Sequence, residues 1–159
     1  MENHGEFMRA ANERRLASFR KNSRLFKGVR WLGTLDCSSC IVCAALDGAT
    51  WDLNGSPIAG NPIGFRVPPL HPGCRCSLTG ALKRDGGPDR RASQFGQISG
   101  DTSFDAFLKR MKPDQVEQFL GKGRAELLSS GMLSVRDFIS PDCRERTLPE
   151  LHALLAERP

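Results

Sequence analysis

The chain has 159 residues, which admits one ordinary domain with its own core, or a small domain with appendages, and makes two full domains improbable. Hydrophobic residues make up 39% and charged residues 26%, a globular rather than a disordered balance, while 16 glycines and 10 prolines predict much irregular backbone. The net charge of +5 resides in the leading segment, where eight basic residues up to Arg30 face three acidic ones, so the rest is neutral.

That leading segment, "MENHGEFMRAANERRLASFRK", has no apolar core of the signal-peptide kind, and no run in the chain approaches the ~20 apolar residues of a membrane span. The expectation is a cytosolic protein without a membrane segment. A helix is predicted over 7–26, free of proline and glycine, with Met8, Ala11, Leu16, Phe19 and Phe26 near helical spacing and Gly28 as its stop. So polar a helix is marginal alone and should pack on the chain or on a partner. Residues 1–28 are thus read as a basic helix.

From Val29 the pattern changes. "VRWLGTLD" predicts a strand with Val29, Trp31 and Leu35 as core, Asn54-Gly55 predicts a hairpin turn, and "GFRVPPLHPGCRCSLTG" is its return arm. Together they predict a small, irregular β unit over 29–80. Residues 81–100, rich in Gly, Ser and charge without periodicity, predict a linker or exposed loop. The region 101–159 predicts short helices: "TSFDAFLKRM" capped by Thr102 or Ser103, "PDQVEQFLG" with Pro113 in its first turn, "KGRAELLSSG" closed by Gly131, and "TLPELHALLAER", where Thr147 and Glu150 have capping-box spacing. The fold class is α+β.

Five of the six cysteines fall between Cys37 and Cys76. In a reducing cytosol such clustering reads as metal ligation before disulfides. Cys40 and Cys43 have the three-residue offset that lets two sulfurs turn toward one ion, and His71 and Cys74 repeat it around a Pro-Gly turn. Cys76 follows two residues later, on the same side of an extended segment. Cys40, Cys43, His71, Cys74 and Cys76 are the candidate ligands of a structural zinc that staples the β unit; zinc takes four, so one stands aside or supports the others. Cys37 is a weaker sixth candidate. Packed reduced thiols and disulfides are the competing readings.

Several catalytic chemistries lack their residues. There is no His-x-Glu ahead of the cysteines, as a zinc deaminase needs, and no helix with two histidines around a glutamate. Cys40 and Cys43 have thioredoxin spacing outside any βαβ pattern, and "LGKGRAELL" lacks the glycine-to-lysine frame of a phosphate loop.

The stretches "WLGTLDCSSCIVCAALDGATW", "PPLHPGCRC" and "FLGKGRAELLSSGMLSVRDFI" together resemble the phage head-morphogenesis family, the Mu F-like minor head proteins. The residues that carry the resemblance are Asp36, Cys40, Cys43, Asp47-Gly48, Pro68-Pro69, His71 and Cys74-Arg75-Cys76, in the family's order. It covers the chain from about Val29 onward. Ser38 stands where the family usually has arginine, Cys37 is an additional thiol, and the chain reads as a member short at its N-terminus. The resemblance implies a non-enzymatic minor head protein, located in the virion or host cytoplasm, that serves capsid assembly or DNA packaging and ejection. The implied partners are portal and capsid proteins, with weak DNA contact through the basic helix as a lesser role. The alternatives are a toxin-like nuclease or ADP-ribosyltransferase, for which His152 is the one C-terminal histidine, and a zinc-ribbon-like nucleic-acid binder using Arg14, Arg15, Arg20 and Lys21.

Overall fold

The computed structural model describes residues 4–83 and 90–158. It is an α+β fold whose first element is α1, His4–Lys21, followed by β1, Phe26–Leu32. The helix ends five residues before the predicted 26. Asn22 donates from Nδ2 to the Ser18 carbonyl at 2.8 Å, so a side chain takes up an acceptor of the last turn, and residues 22–25 form a turn. Phe26 then lies in β1, and its ring meets that of Phe19 at 4.9 Å. The spacing that suggested one continuous helix is a contact made across the turn. Gly28 likewise sits inside β1, where a Cβ would stand 2.0 Å from the Trp51 carbonyl oxygen, so only glycine permits that approach of neighbouring strands.

After β1 come α2 (Ile41–Leu46), β2 (Thr50–Trp51) and β3 (Ser77–Leu82). The strands form an antiparallel sheet in the order β2-β1-β3, with Val29 opposite Trp51 on one side and Gly80 on the other. The predicted turn forms at Asn54-Gly55, with Gly55 at φ +94° and Asp52 Oδ1 accepting from the Asn54 and Ser56 amides at 2.8 Å each. The return arm, however, passes β2 and pairs with β1 as β3. The loop between is ordered by buried Asn61, whose Nδ2 donates to the Thr50 carbonyl and whose Oδ1 accepts from the Ile63 amide. Trp51 Nε1 in turn donates to the Ile63 carbonyl at 2.7 Å.

The stretch predicted as a linker departs from expectation. Residues 81–82 still belong to β3, and β4 (Arg90–Ser93) and β5 (Gly96–Ser99) form a second antiparallel pair; residues 84–89 of that stretch lie outside the described residues. Short strands of mixed polarity have no apolar alternation to betray them. The C-terminal region follows its predicted punctuation. The helix α3 (Phe104–Leu108) is capped by Ser103 Oγ, α4 (Pro113–Leu120) ends at Gly121, α5 (Lys122–Ser129) precedes Gly131, and α6 (Leu148–Ala156) starts from the Thr147/Glu150 capping box. A 3-10 turn over Val135–Phe138 packs against α2.

Val29, Trp31 and Leu35 are fully buried, as predicted, and join Trp51, Leu46, Phe107, Phe138 and Leu151 in one hydrophobic cluster. Each buried Phe or Trp here is worth about 3–5 kcal/mol against truncation to alanine. The helix α1 enters this core through Leu16 and through Asn12, which is completely buried. Asn12 accepts from the Leu78 amide at 2.9 Å and donates to the Met8 and Pro68 carbonyls, which fixes the helix to β3 and to the Pro68-Pro69 segment at once. No helix among the described residues is long and apolar enough to cross a membrane.

Candidate metal centre

Two turns deliver the donors. Cys40 is the N-cap of α2 and its Sγ accepts from the Cys43 amide at 3.3 Å, so the cap bond itself turns both sulfurs to one side. The preceding loop is shaped by Asp36, which accepts from the Ser38 amide at 3.0 Å, and by Ser39 Oγ, which donates to the Thr34 carbonyl at 2.7 Å. In the second turn the Cys74 amide donates to the His71 carbonyl at 3.1 Å, with Pro72 and a positive-φ Gly73 between them. Proline followed by glycine is what such a turn requires.

The two turns meet. His71 Nε2 lies 3.3 Å from the sulfurs of both Cys40 and Cys43, and Cys43 Sγ lies 3.7 Å from Cys74 Sγ. The ligand atoms form two groups that could hold a metal ion, Cys40 with Cys43 and His71, and Cys43 with Cys74 and Cys76, each spanning at most 4.8 Å. Cys43 belongs to both. A void of about 10 Å³ lies among these residues, between them and Thr34, Ser38 and Arg75.

The protonation pattern fits a cation site. His71 Nδ1 is 2.9 Å from the Pro72 carbonyl; a carbonyl only accepts, so Nδ1 carries the proton and Nε2 turns toward the sulfurs. The Cys43 thiol, its amide and the nearby His71 bring Cys40 down to about 5 against the opposition of burial. Cys74 is also pushed down, first by Cys43 and then by Cys76. Cys43, crowded by Cys40, Cys74 and Cys76, is pushed up. For Cys76 the bond with Cys43 lowers the pKa, but Cys74 and burial outweigh it and raise the thiol to about 12. The indole N–H of Trp31, fully buried and without a hydrogen-bond partner of ordinary geometry, also acts on Cys76 and favours its anion. Cys40 and Cys74 are thus the sulfurs that favour the thiolate, set against two thiols, Cys43 and Cys76, that a bound cation would have to deprotonate.

Around the donors stands a supporting layer that spacing alone did not reveal. Arg75, between Cys74 and Cys76, grips Asp36 with both nitrogens at 2.6 and 2.7 Å and ties the two cysteine stretches together. The guanidinium holds Asp36 below its usual value. At the far end of α2, Asp47 forms a buried bidentate pair with Arg91 at 2.7 and 2.9 Å. Arg91 also donates to the carbonyls of Gly33 and Thr102, and Asp47 Oδ1 accepts from the Gly33 amide at 2.9 Å. Arg91 lies in the stretch read as a linker, and nothing in its sequence surroundings marks it as buried.

All five candidate ligands are thus brought together, and Cys37 is not among them. It is exposed, with its sulfur 3.8 Å from Met111 Sδ. Cys143 stands in a separate turn over 140–144, at φ +68°. His152 is exposed on α6. Comparison of the chain with protein-family models, with curated proteins and with solved structures gives no match.

Proposed function

We propose that four of the five donors close one structural zinc site, the fifth supporting it, and that the chain is a non-enzymatic minor head protein of the phage head-morphogenesis type. The observation that carries the zinc reading is the spacing. Zinc–sulfur bonds of about 2.3 Å and zinc–nitrogen bonds of about 2.0–2.1 Å put tetrahedral ligands about 3.6–3.8 Å apart. The 3.7 Å between Cys43 and Cys74 matches that edge, and the 3.3 Å separations to His71 are only slightly inside it. Thiolate and imidazole donors with no carboxylate among them suit zinc over calcium or magnesium. Four such ligands leave no open coordination position, which favours a staple over a catalyst.

The head-protein reading draws support from which residues the site uses. Those that carry the family resemblance (Asp36, Cys40, Cys43, Asp47, Pro68, His71, Cys74, Arg75 and Cys76) are the ones that bond to each other or anchor the site's surroundings. In that role the zinc unit holds a small sheet rigid while α1 offers Arg14 and Arg15 at the surface to portal, capsid or packaged DNA. The test is elemental analysis of protein purified without added metal, with thermal melts before and after chelation. One zinc per chain and a large loss of stability on chelation is the expected result, and no metal with an indifferent melt removes the proposal. Co-purification with portal and capsid proteins of the same genome, lost on chelation, tests the head role.

A further inference from the structure

The Asp47-Gly48 pair is only half accounted for by the buried ion pair. Gly48 is partly exposed, at φ +77°, and two arginines converge in front of it. The place of a Cβ at this position lies 3.6 Å from Arg30 Nη2, 3.9 Å from Arg30 Nε and 3.7 Å from Arg136 Nη2. Arg30 projects from β1 opposite Thr50 and Thr79. Arg136 comes from the 3-10 turn and is steadied by the Asp47 and Ala45 carbonyls, at 2.8 and 3.4 Å. The Arg30 guanidinium, by contrast, makes no hydrogen bond or ion pair among the described residues.

None of the nearby acids bonds to Arg30: Asp47 is taken by Arg91, Asp105 accepts from the Val135 amide, Asp137 is paired with Arg158, and exposed Asp101, which accepts from Ser99 Oγ, feels the charge of Arg30 without a bond to it. Burial pushes the Arg136 guanidinium down, against the pull of Asp47 and Asp105, and Arg30 adds like-charge repulsion that Asp137 opposes. Two guanidinium groups on either side of one glycine, one of them without a bonded partner among the described residues, form an arrangement that an anion relieves.

We propose that Arg30 and Arg136 bind a phosphate group in the space in front of Gly48. Two forks carrying two positive charges match an ion of nearly two negative charges with at least three acceptor oxygens. A carboxylate, with one charge and two oxygens, is satisfied by one fork and leaves the second unpaired. Glycine at 48 keeps the space open, since any side chain would point between the guanidinium groups. The site uses none of the five candidate metal ligands. The phosphate could be free or belong to a nucleic-acid backbone.

Thermal melts of the full chain in inorganic phosphate, against chloride at matched ionic strength, test it. Phosphate should raise Tm beyond chloride in the native protein, and Arg30→Gln should weaken that binding by about tenfold or more. An absent rise, or an equal rise in Arg30→Gln, overturns the proposal. Should Arg30→Gln fail to fold, Arg30→Lys keeps the charge without the fork and should still lower phosphate affinity; unchanged affinity overturns the proposal there too. A short single-stranded oligonucleotide separates the sources. Binding that phosphate displaces and Arg30→Gln loses identifies a backbone phosphodiester, whereas phosphate binding with no Arg30-dependent oligonucleotide binding identifies free phosphate.

Discussion

The Asp47–Arg91 pair offers the sharpest test of how the fold is held. Both side chains are essentially buried, at 1% and 3% exposure, and the guanidinium makes four hydrogen bonds, two of them to the carboxylate. Removing Asp47 leaves a buried positive charge with two carbonyls as its partners among the described residues. Removing Arg91 leaves a buried carboxylate with the single Gly33 amide. Breaking one side of such a pair costs about 3–5 kcal/mol, because the survivor keeps its desolvation penalty without its partner. Asp47→Ala and Arg91→Ala should each lose that much in urea unfolding, or roughly 6–20 °C in Tm for a chain of this size. Asp47→Ala/Arg91→Ala should lose clearly less than the sum of the singles, since neither charge is then stranded. Single losses under about 1 kcal/mol, or strict additivity, would refute the pairing and with it the attachment of β4–β5 to α2.

Within the metal centre, Cys43→Ser should abolish metal retention because Cys43 belongs to both donor groups, while Cys37→Ser should leave metal content unchanged; elemental analysis of both variants decides it. Asn12→Ala strands the Leu78 amide and the Pro68 carbonyl and should destabilise by about 1–3 kcal/mol, measured by urea titration. Gly28→Ala drives a Cβ into the Trp51 carbonyl and should lose about 1–3 kcal/mol or more, with the Val29 and Trp31 amides, which face β2, exchanging faster as β2 separates from β1. Arg75 holds Asp36 below the 3.8 of a free aspartate, so the stability it adds is full above that value and fades as pH falls below it. Arg75 is 44% exposed, which limits the effect to under about 1 kcal/mol; Asp36→Asn should show the deficit at pH 6 and none in strong acid.

Much of this protein is settled locally and is legible for that reason. The Ser103 cap, the Gly121 and Gly131 stops and the Thr147/Glu150 box are contacts between residues a few positions apart, so the sequence alone places the C-terminal helices. The Asn54-Gly55 turn and the two donor turns are equally local, and the offsets of Cys40 to Cys43 and His71 to Cys74 already orient their side chains. What local pattern misplaced was set by distant partners. The end of α1 was obscured because Phe19 and Phe26 meet across a turn at a spacing that imitates a helix. The hairpin β4–β5 carries no apolar alternation, and its hold on the fold is one arginine whose partner lies 44 residues earlier. Asn12, bonded to residues more than fifty positions away, reads on a helical pattern as one more exposed polar residue. Sequence determined the donors and the turns that present them, because those depend on neighbours in the chain. Tertiary structure alone decided that the two turns meet, that Cys37 stays out, and which buried charges find each other, because each depends on a closure between segments that no short-range preference encodes.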